Sequence, residues 1–354
     1  MKPKARAIAF YLPQYHPVKV NDEFWGKGFT EWTNVTKAKP LFKGHLQPKL
    51  PADLGFYDLR VPEIREQQAD LARQHGIEAF CYWHYWFGNG ERALESVFEE
   101  VLKSNKPDFP FCLGWANESW TGRWHGLNDQ ILFNQTYPGE KDYEEHFYSV
   151  LTAFKDPRYL KIFKKPIFLV YRPMQIPDPK KFTEIWQNLA IKEGLSDGLH
   201  FIGVHDDWEP TDHGFSSYID ASITSKSNKI RSSLSKRIKR KLLNLKYPDF
   251  IDYNALVEEN LQKSFNAKYL PLVIPNWDNT PRSGLNGRVF INDSVQAFSK
   301  WLQYAIKQVS SNKVDERIVF IKSWNEWAEG NYLEPDQLHG TEYLEAIKKI
   351  LYEN

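Results

Sequence analysis

The sequence predicts a (β/α)8 barrel, and three observations carry that expectation. Eight short apolar, β-branched or aromatic runs recur along the 354 residues. Amphipathic segments separate them, and no shift in composition divides the chain. One barrel over residues 1–354, with long loops after its strands, is the organisation expected. A doubly wound sheet is the alternative, but its first strand usually enters a glycine-rich phosphate turn. Here the first strand enters L-P-Q-Y-H-P, which has no glycine.

The strand runs are Ala7–Tyr11, Ile77–Trp83, Phe109–Gly114, Pro166–Tyr171, His200–His205, Ile219–Thr224, Tyr269–Pro275 and Arg317–Trp324. Helices are expected at Pro62–His75, Arg92–Ser104, Tyr143–Phe154, Pro179–Glu193, Asn254–Phe265, Ser294–Val309 and Thr341–Tyr352. Leu94, Val97, Phe98, Val101 and Leu102 illustrate the helical spacing. Pro62 suits a first turn, and Gly76 and Gly194 suit helix ends. After the sixth run comes a basic stretch, Lys226–Lys246, with nine lysines and arginines. It reads as a solvated excursion, with contact to an acidic glycan or a phosphate-linked lipid carrier as the alternative.

With 46 basic and 45 acidic residues the net charge is +1, so no global field attracts nucleic acid or an anionic membrane. No apolar stretch approaches the ~18 residues a transmembrane helix requires. The N-terminus lacks the features of a signal peptide, so the chain reads as cytoplasmic; an exported protein trimmed of its leader would read the same. Cys81 and Cys112 fall in apolar runs and read as buried free thiols. No motif requires a cofactor. His205, Asp206, Asp207 and His213 form a loose cluster without regular ligand spacing, so no metal is expected.

Aromatic residues reach 15%, including 13 tryptophans, and their placement matters more than their number. In this architecture the active site forms at the C-terminal strand ends. The first run closes on Tyr11, Gln14, Tyr15 and His16, followed by a loop with Trp25 and Trp32. The second carries Trp83 and His84, the third Trp115, Asn117 and Glu118, the fourth Tyr171 and Arg172. The fifth ends at His205, the seventh at Trp277, and the eighth at Trp324 and Asn325. A barrel core would favour Val, Ile and Leu there, because an unpartnered buried polar group is costly. Rings interleaved with hydrogen-bonding groups suit a sugar-binding pocket, whose occupant is expected to be an oligo- or polysaccharide.

Glycoside cleavage also requires two carboxyl groups. Glu326 and Glu329, in S-W-N-E-W-A-E-G, are the candidates. A helical turn would set their Cβ atoms ~5–6 Å apart, near the roughly 5–5.5 Å carboxyl separation of retaining enzymes. Trp324 and Trp327 would lower the local dielectric and raise one pKa. The plainer reading is a solvated pair at a helix start. Glu118 is the rival acid, with hydrogen bonding to a sugar hydroxyl or to Arg123 as its plainer role.

The runs A-F-Y-L-P-Q-Y-H-P, F-W-G-K-G-F-T-E-W-T-N-V, W-A-N-E-S-W-T and S-W-N-E-W-A-E-G-N-Y-L-E-P-D resemble the WbsX-type family. Its members are described as glycosyltransferases of polysaccharide synthesis and are related to glycoside hydrolase family 99. The motifs extend from about Ala7 to Asp336. The resemblance implies a (β/α)8 barrel acting on α-linked sugars without a metal. It also implies that Glu326 deprotonates the sugar 2-hydroxyl to form a 1,2-anhydro intermediate, while Glu329 serves as acid and then base. Tyr15, His16, Trp83, His84 and Tyr171 would line the pocket. Gly122 stands where the family commonly has arginine, which puts a charge contact near Arg123 in doubt.

A retaining glycoside hydrolase acting on a bacterial O-antigen-type polysaccharide is therefore expected. The alternatives are a glycosyltransferase of surface-polysaccharide (O-antigen or lipopolysaccharide) assembly and a non-catalytic glycan-binding barrel. No D-x-D motif or diphosphate site supports nucleotide-sugar transfer, and the presence of both glutamates argues against a mere binding module.

Overall fold

The first strand, β1 (Arg6–Tyr11), is buried from Ala7 onward. A strand covered on both faces reads as a continuous apolar run, as this one does. In the computed structural model, which describes residues 2–121, 131–204, 208, 210–220, 247–263 and 266–353, seven further strands lie parallel to it. They are β2 (Ile77–Gly88), β3 (Phe111–Trp115), β4 (Lys165–Val170), β5 (His200–Val204), β6 (Ser217–Ile219), β7 (Leu272–Val273) and β8 (Ile318–Ile321). Their order is β6-β5-β4-β3-β2-β1-β8-β7. The ring closes through a parallel bridge between Tyr218 and Tyr269, with Leu270 donating its N–H to the Tyr218 carbonyl at 2.8 Å. The (β/α)8 barrel is the fold the sequence predicts, and each strand falls on or overlaps an expected run.

The strands differ from the expected runs in extent. β7 covers Leu272–Val273 within Tyr269–Pro275 and β8 covers Ile318–Ile321 within Arg317–Trp324, and two others depart at their ends. β2 runs on past Trp83 to Gly88 and turns into a hairpin with Glu91–Ala93, which lifts Tyr85 above the barrel rim. β6 starts two residues earlier than the apolar run suggests. Polar Ser217 hides its start, and that residue is buried because its hydroxyl bonds His200 at 2.8 Å. The basic stretch 226–246 lies outside the described residues.

Helices α1 (Lys19–Trp25), α2 (Glu31–Lys37) and α3 (Pro62–Gln74) follow β1; α4 (Glu95–Ser104) follows β2. Next come α5 (Glu140–Lys155), α6 (Pro179–Lys192), α7 (Tyr253–Leu261), α8 (Thr280–Ser283), α9 (Val295–Val309) and α10 (Glu342–Tyr352). Tyr143, Phe147, Val150 and Phe154 form the buried stripe of α5 at helical spacing. Asp178 and Ser294 cap α6 and α9 by accepting main-chain N–H bonds of 2.9 and 3.2 Å. Gly76 ends α3 at φ +84°, where an added Cβ would lie 2.8 Å from the Tyr352 ring.

Cys81 and Cys112 are buried free thiols at paired positions of β2 and β3. Among the described residues no helix is long and apolar enough to cross a membrane. The short helices α1, α2 and α8 sit in the loops after β1 and β7, and α2 packs on the turn that follows β8. That contact builds the site.

Candidate active site

β8 delivers the two glutamates on a tight turn. Asn325–Glu326 pairs antiparallel with Asn331–Tyr332, and Trp327–Glu329 forms a single 3-10 turn between them. Four contacts fix this turn. The Asn325 side chain accepts the Leu12 N–H at 2.8 Å and donates to the Leu12 carbonyl at 3.0 Å. The Tyr15 hydroxyl donates to the Asn325 carbonyl and accepts the Trp327 N–H at 3.1 Å. The Ser323 hydroxyl donates to the Asn331 carbonyl at 3.0 Å and accepts the Glu326 N–H at 3.1 Å. The Trp327 indole donates to Glu334 at 2.7 Å and its ring stacks on Tyr332 at 3.8 Å.

Both carboxyl groups open into a cleft of about 500 Å³ at the C-terminal mouth of the barrel. The charge of each carboxyl group acts on the other. Burial, then the neighbouring Glu329 charge, pushes Glu326 up to about 8. Burial would raise Glu329 too, but the Arg282 guanidinium and then the Lys322 ammonium hold it down at about 2. At neutral pH the pair therefore carries one proton and one charge, with Arg282 and Lys322 drawing the charge toward Glu329.

The geometry around them explains that division. Arg282 Nη1 donates to Glu329 Oε1 at 2.6 Å, and Arg282 Nη2 lies 3.0 Å from Glu31 Oε2. Lys322 Nζ stands 3.8 Å from Glu329 Oε2 and 4.6 Å from the centre of the Trp277 ring. Glu326 faces a single indole donor, Trp83 Nε1, at 3.1 Å. The Trp83 ring stacks on Phe10 at 4.8 Å and meets Tyr171 edge-on at 5.6 Å.

Of the residues expected at the site, Gln14, Trp83, Glu118, Tyr171, Arg172, Trp277, Glu326 and Glu329 line the cleft. Glu118 pairs with Arg172 at 2.8 Å, beside the cleft floor. The other expected residues among those described do not line the cleft. Tyr15, Trp324 and Asn325 are buried in or against the turn that presents the glutamates. Tyr11 bonds Gln68 at 2.7 Å, His16 meets Ser96 at 3.1 Å, and His84 meets His146 at 2.9 Å. Trp32 gives its indole N–H to the Tyr57 carbonyl and Trp115 gives its own to the Trp86 carbonyl. Asn117 binds the Arg172 main chain through both its N–H and its carbonyl. Trp25 packs near Phe29 in the first loop. His205, Asp206 and Asp207 lie outside the described residues, as do Gly122 and Arg123. Among the described residues no three His, Cys, Asp or Glu side chains converge as metal ligands do.

Tyr85 and Trp120, which fall in the runs Y-W-H-Y-W-F and W-A-N-E-S-W at the second and third strand ends, also line the cleft. Sequence reasoning did not pick out Glu31, Asp249, Arg282, Arg288 or Lys322, which line it too; of these, Glu31 stands beside Trp32 in T-E-W.

The chain matches the family model described as "Glycosyltransferase WbsX" over residues 7–347. It is 38% identical to the "Uncharacterized protein WxcX" of Xanthomonas campestris pv. campestris, across 98% of this chain and 50% of that protein. The chain thus spans about half the length of the curated relatives it matches. Among solved structures, a "glycoside hydrolase-like protein" superposes with TM-score 0.62 at 14% identity, covering 99% of this chain and 94% of that one. The GH99 endo-alpha-mannosidase of Bacteroides thetaiotaomicron superposes with TM-score 0.57 at 15% identity, covering 98% and 96%. At these identities the likeness is one of fold.

Proposed function

The chain belongs to the WbsX glycosyltransferase family, and within it we propose that this chain is a retaining glycoside hydrolase cleaving an α-linked sugar in a bacterial polysaccharide. The observation that carries this reading is that Glu326 and Glu329 line one aromatic cleft together. Arg282 and Lys322 stand on the Glu329 side, and among the described residues only an indole N–H bonds the Glu326 carboxyl. A pair of this kind supplies both functions that glycoside cleavage requires, one acid and one base.

In the proposed reaction a sugar enters the cleft beside the two carboxyl groups. Glu326 takes the proton of the 2-hydroxyl while that oxygen attacks C1, forming the 1,2-anhydro sugar. Glu329 gives its proton to the departing glycosidic oxygen. Water then opens the anhydro ring at C1, Glu329 removing a proton from it and Glu326 returning one to the 2-oxygen. Two inversions at C1 leave retention. Because Arg282 and Lys322 draw the resting charge toward Glu329, the cycle begins by moving the proton there. Trp83, Tyr85, Tyr171 and Trp277 offer ring faces to the sugar.

The family description favours a second reading, transfer, in which a sugar hydroxyl replaces water in the second step. Both readings are tested by incubating the protein with α-mannosides and O-antigen oligosaccharides, with and without sugar nucleotides. New reducing ends without any nucleotide support hydrolysis. Product that forms only with a sugar nucleotide sinks it, and longer oligosaccharides made from the donor alone indicate transfer.

A further inference from the structure

A third glutamate belongs to the reaction's machinery without touching the sugar bond. Glu31 is the first residue of α2, the short helix after β1 that packs on the 327–329 turn. Its side chain is wholly buried, and Oε2 lies 3.0 Å from Nη2 and 3.3 Å from Nε of Arg282. The same guanidinium gives Nη1 to Glu329 at 2.6 Å. One cation therefore spans two carboxylates, one of them a proposed catalytic group. The second oxygen of Glu31, Oε1, is buried with no hydrogen-bond partner among the described residues.

An arginine bound to Glu329 alone would hold that carboxylate ionised, which suits a base and defeats an acid. The proposed cycle requires Glu329 to carry the proton when the leaving group departs. We infer that Glu31 is a positioning residue that divides the Arg282 charge, leaving Glu329 able to receive the proton from Glu326. The inference rests on the acid role proposed for Glu329.

Other charged and titratable groups near the pair are accounted for. From the end of β8, Lys322 faces both Glu326 and Glu329. From β2, Tyr85 lies within the field of Glu31, Glu326 and Glu329. From the loop after β1, Tyr15 senses Glu31, and Lys37 acts on Glu31 from the far end of α2. Among the described residues, Arg282 is the cation within ion-pair distance of Glu31. Ordinary packing offers a simpler role for Glu31, a buried ion pair that merely seats α8 against α2. The two roles differ in what they do to the proton.

The test combines a carboxyl titration with kinetics on two substrates. Protein labelled with carboxyl-13C glutamate is titrated by NMR, as wild type and as Glu31→Gln. Removing the Glu31 charge exposes the pair to more of the Arg282 field, so its shared proton is held less tightly. The pair should lose that proton at a pH lower by on the order of one unit. With an unactivated α-glycoside kcat should fall by roughly ten-fold or more, while an aryl glycoside with a good leaving group is largely spared. Glu31→Asp, which keeps a charge set further from Arg282, should shift the titration less and recover part of the rate. An unmoved titration, or equal losses on both substrates, overturns the inference. If the wild type cleaves neither substrate, the hydrolase reading has failed, and the titration still decides what Glu31 does to the pair. Should Glu31→Gln not fold, the Glu31→Asp titration decides alone, and no shift there overturns the inference.

Discussion

The Trp83 indole N–H reaches across the barrel mouth to Glu326 Oε1, a 3.1 Å bond between the second strand and the turn after the eighth. This donor favours the ionised form of Glu326, the form that would accept a proton from a sugar hydroxyl. Trp83 is also part of the wall, stacked on Phe10. Trp83→Phe keeps a ring and removes the donor. Loss of one such hydrogen bond, about 1–2 kcal/mol, should lower kcat/KM by about ten-fold. The alkaline limb of the pH–rate profile should move upward, because the proton on Glu326 is then held more tightly. Unchanged melting with a downward limb would contradict this role.

Glu329→Gln separates acid catalysis from binding. A glutamine cannot protonate a departing oxygen, so turnover of an unactivated α-glycoside should be abolished. An activated aryl leaving group requires no proton and should be cleaved at a partly preserved rate. Parallel loss on both substrates would remove the acid role from Glu329.

The pair also predicts how activity and stability depend on pH. Activity requires one proton in the pair, so kcat/KM should fall as pH rises through about 8, where Glu326 ionises. For stability the sign follows from the reference value of 4.5. Glu326 is raised, so its contribution is complete below about 4.5 and is lost as pH climbs to about 8. Glu329 is lowered, so its contribution is present above 4.5 and lost as pH falls toward about 2. Between pH 5 and 8 the pair's own share of the slope therefore comes from Glu326. Glu334, pushed up to about 7 by burial, adds to the slope, and buried His84 and His200, held down at about 3 and about 4, oppose it below 6.5. Glu326→Gln imitates the protonated form and should flatten that slope, leaving the inactive variant more stable than wild type at pH 8 by on the order of a few kcal/mol. Melting temperatures of the two proteins from pH 5 to 8 check it; parallel curves would refute it.

The strands were legible because each is buried on both faces and so appears as an apolar run; β6 was blurred where Ser217 carries its burial through a hydrogen bond. Glu326 and Glu329 were legible as cleft residues because one short segment holds both of them beside Trp324 and Trp327. Arg282, Lys322 and Glu31 were not, since three positions far apart in sequence become one charge network only when α2, α8 and the end of β8 converge. Tyr15, Trp324 and Asn325 show a different limit. Their side chains suit a sugar as well as a scaffold, and only the fold reveals that they hold the turn from behind.

Gly330 closes the turn that carries Glu326 and Glu329, and its substitution distinguishes backbone strain from collision. Its φ is +61°, and an added Cβ would lie 2.7 Å from both the Asp278 N and O atoms. That neighbour cannot yield easily. Asp278 accepts hydrogen bonds from Gln47 at 2.6 Å and the Thr280 hydroxyl at 2.6 Å, and meets His45 at 2.8 Å. Its own N–H bonds the Glu329 carbonyl at 2.8 Å, so any shift is passed to the residue carrying the acid. Gly340 offers the control, with φ +52° and nothing within 4 Å of an added Cβ. Gly340→Ala should cost about 1 kcal/mol and keep full activity, as strain alone does. Gly330→Ala should cost about 2–4 kcal/mol and lower kcat by roughly a hundred-fold, because the clash displaces Glu329 from Arg282. Denaturant melts and rates for the two variants, measured side by side, decide the matter. Equal effects would mean that the turn is merely strained and that its contact with Asp278 does not hold the acid in place.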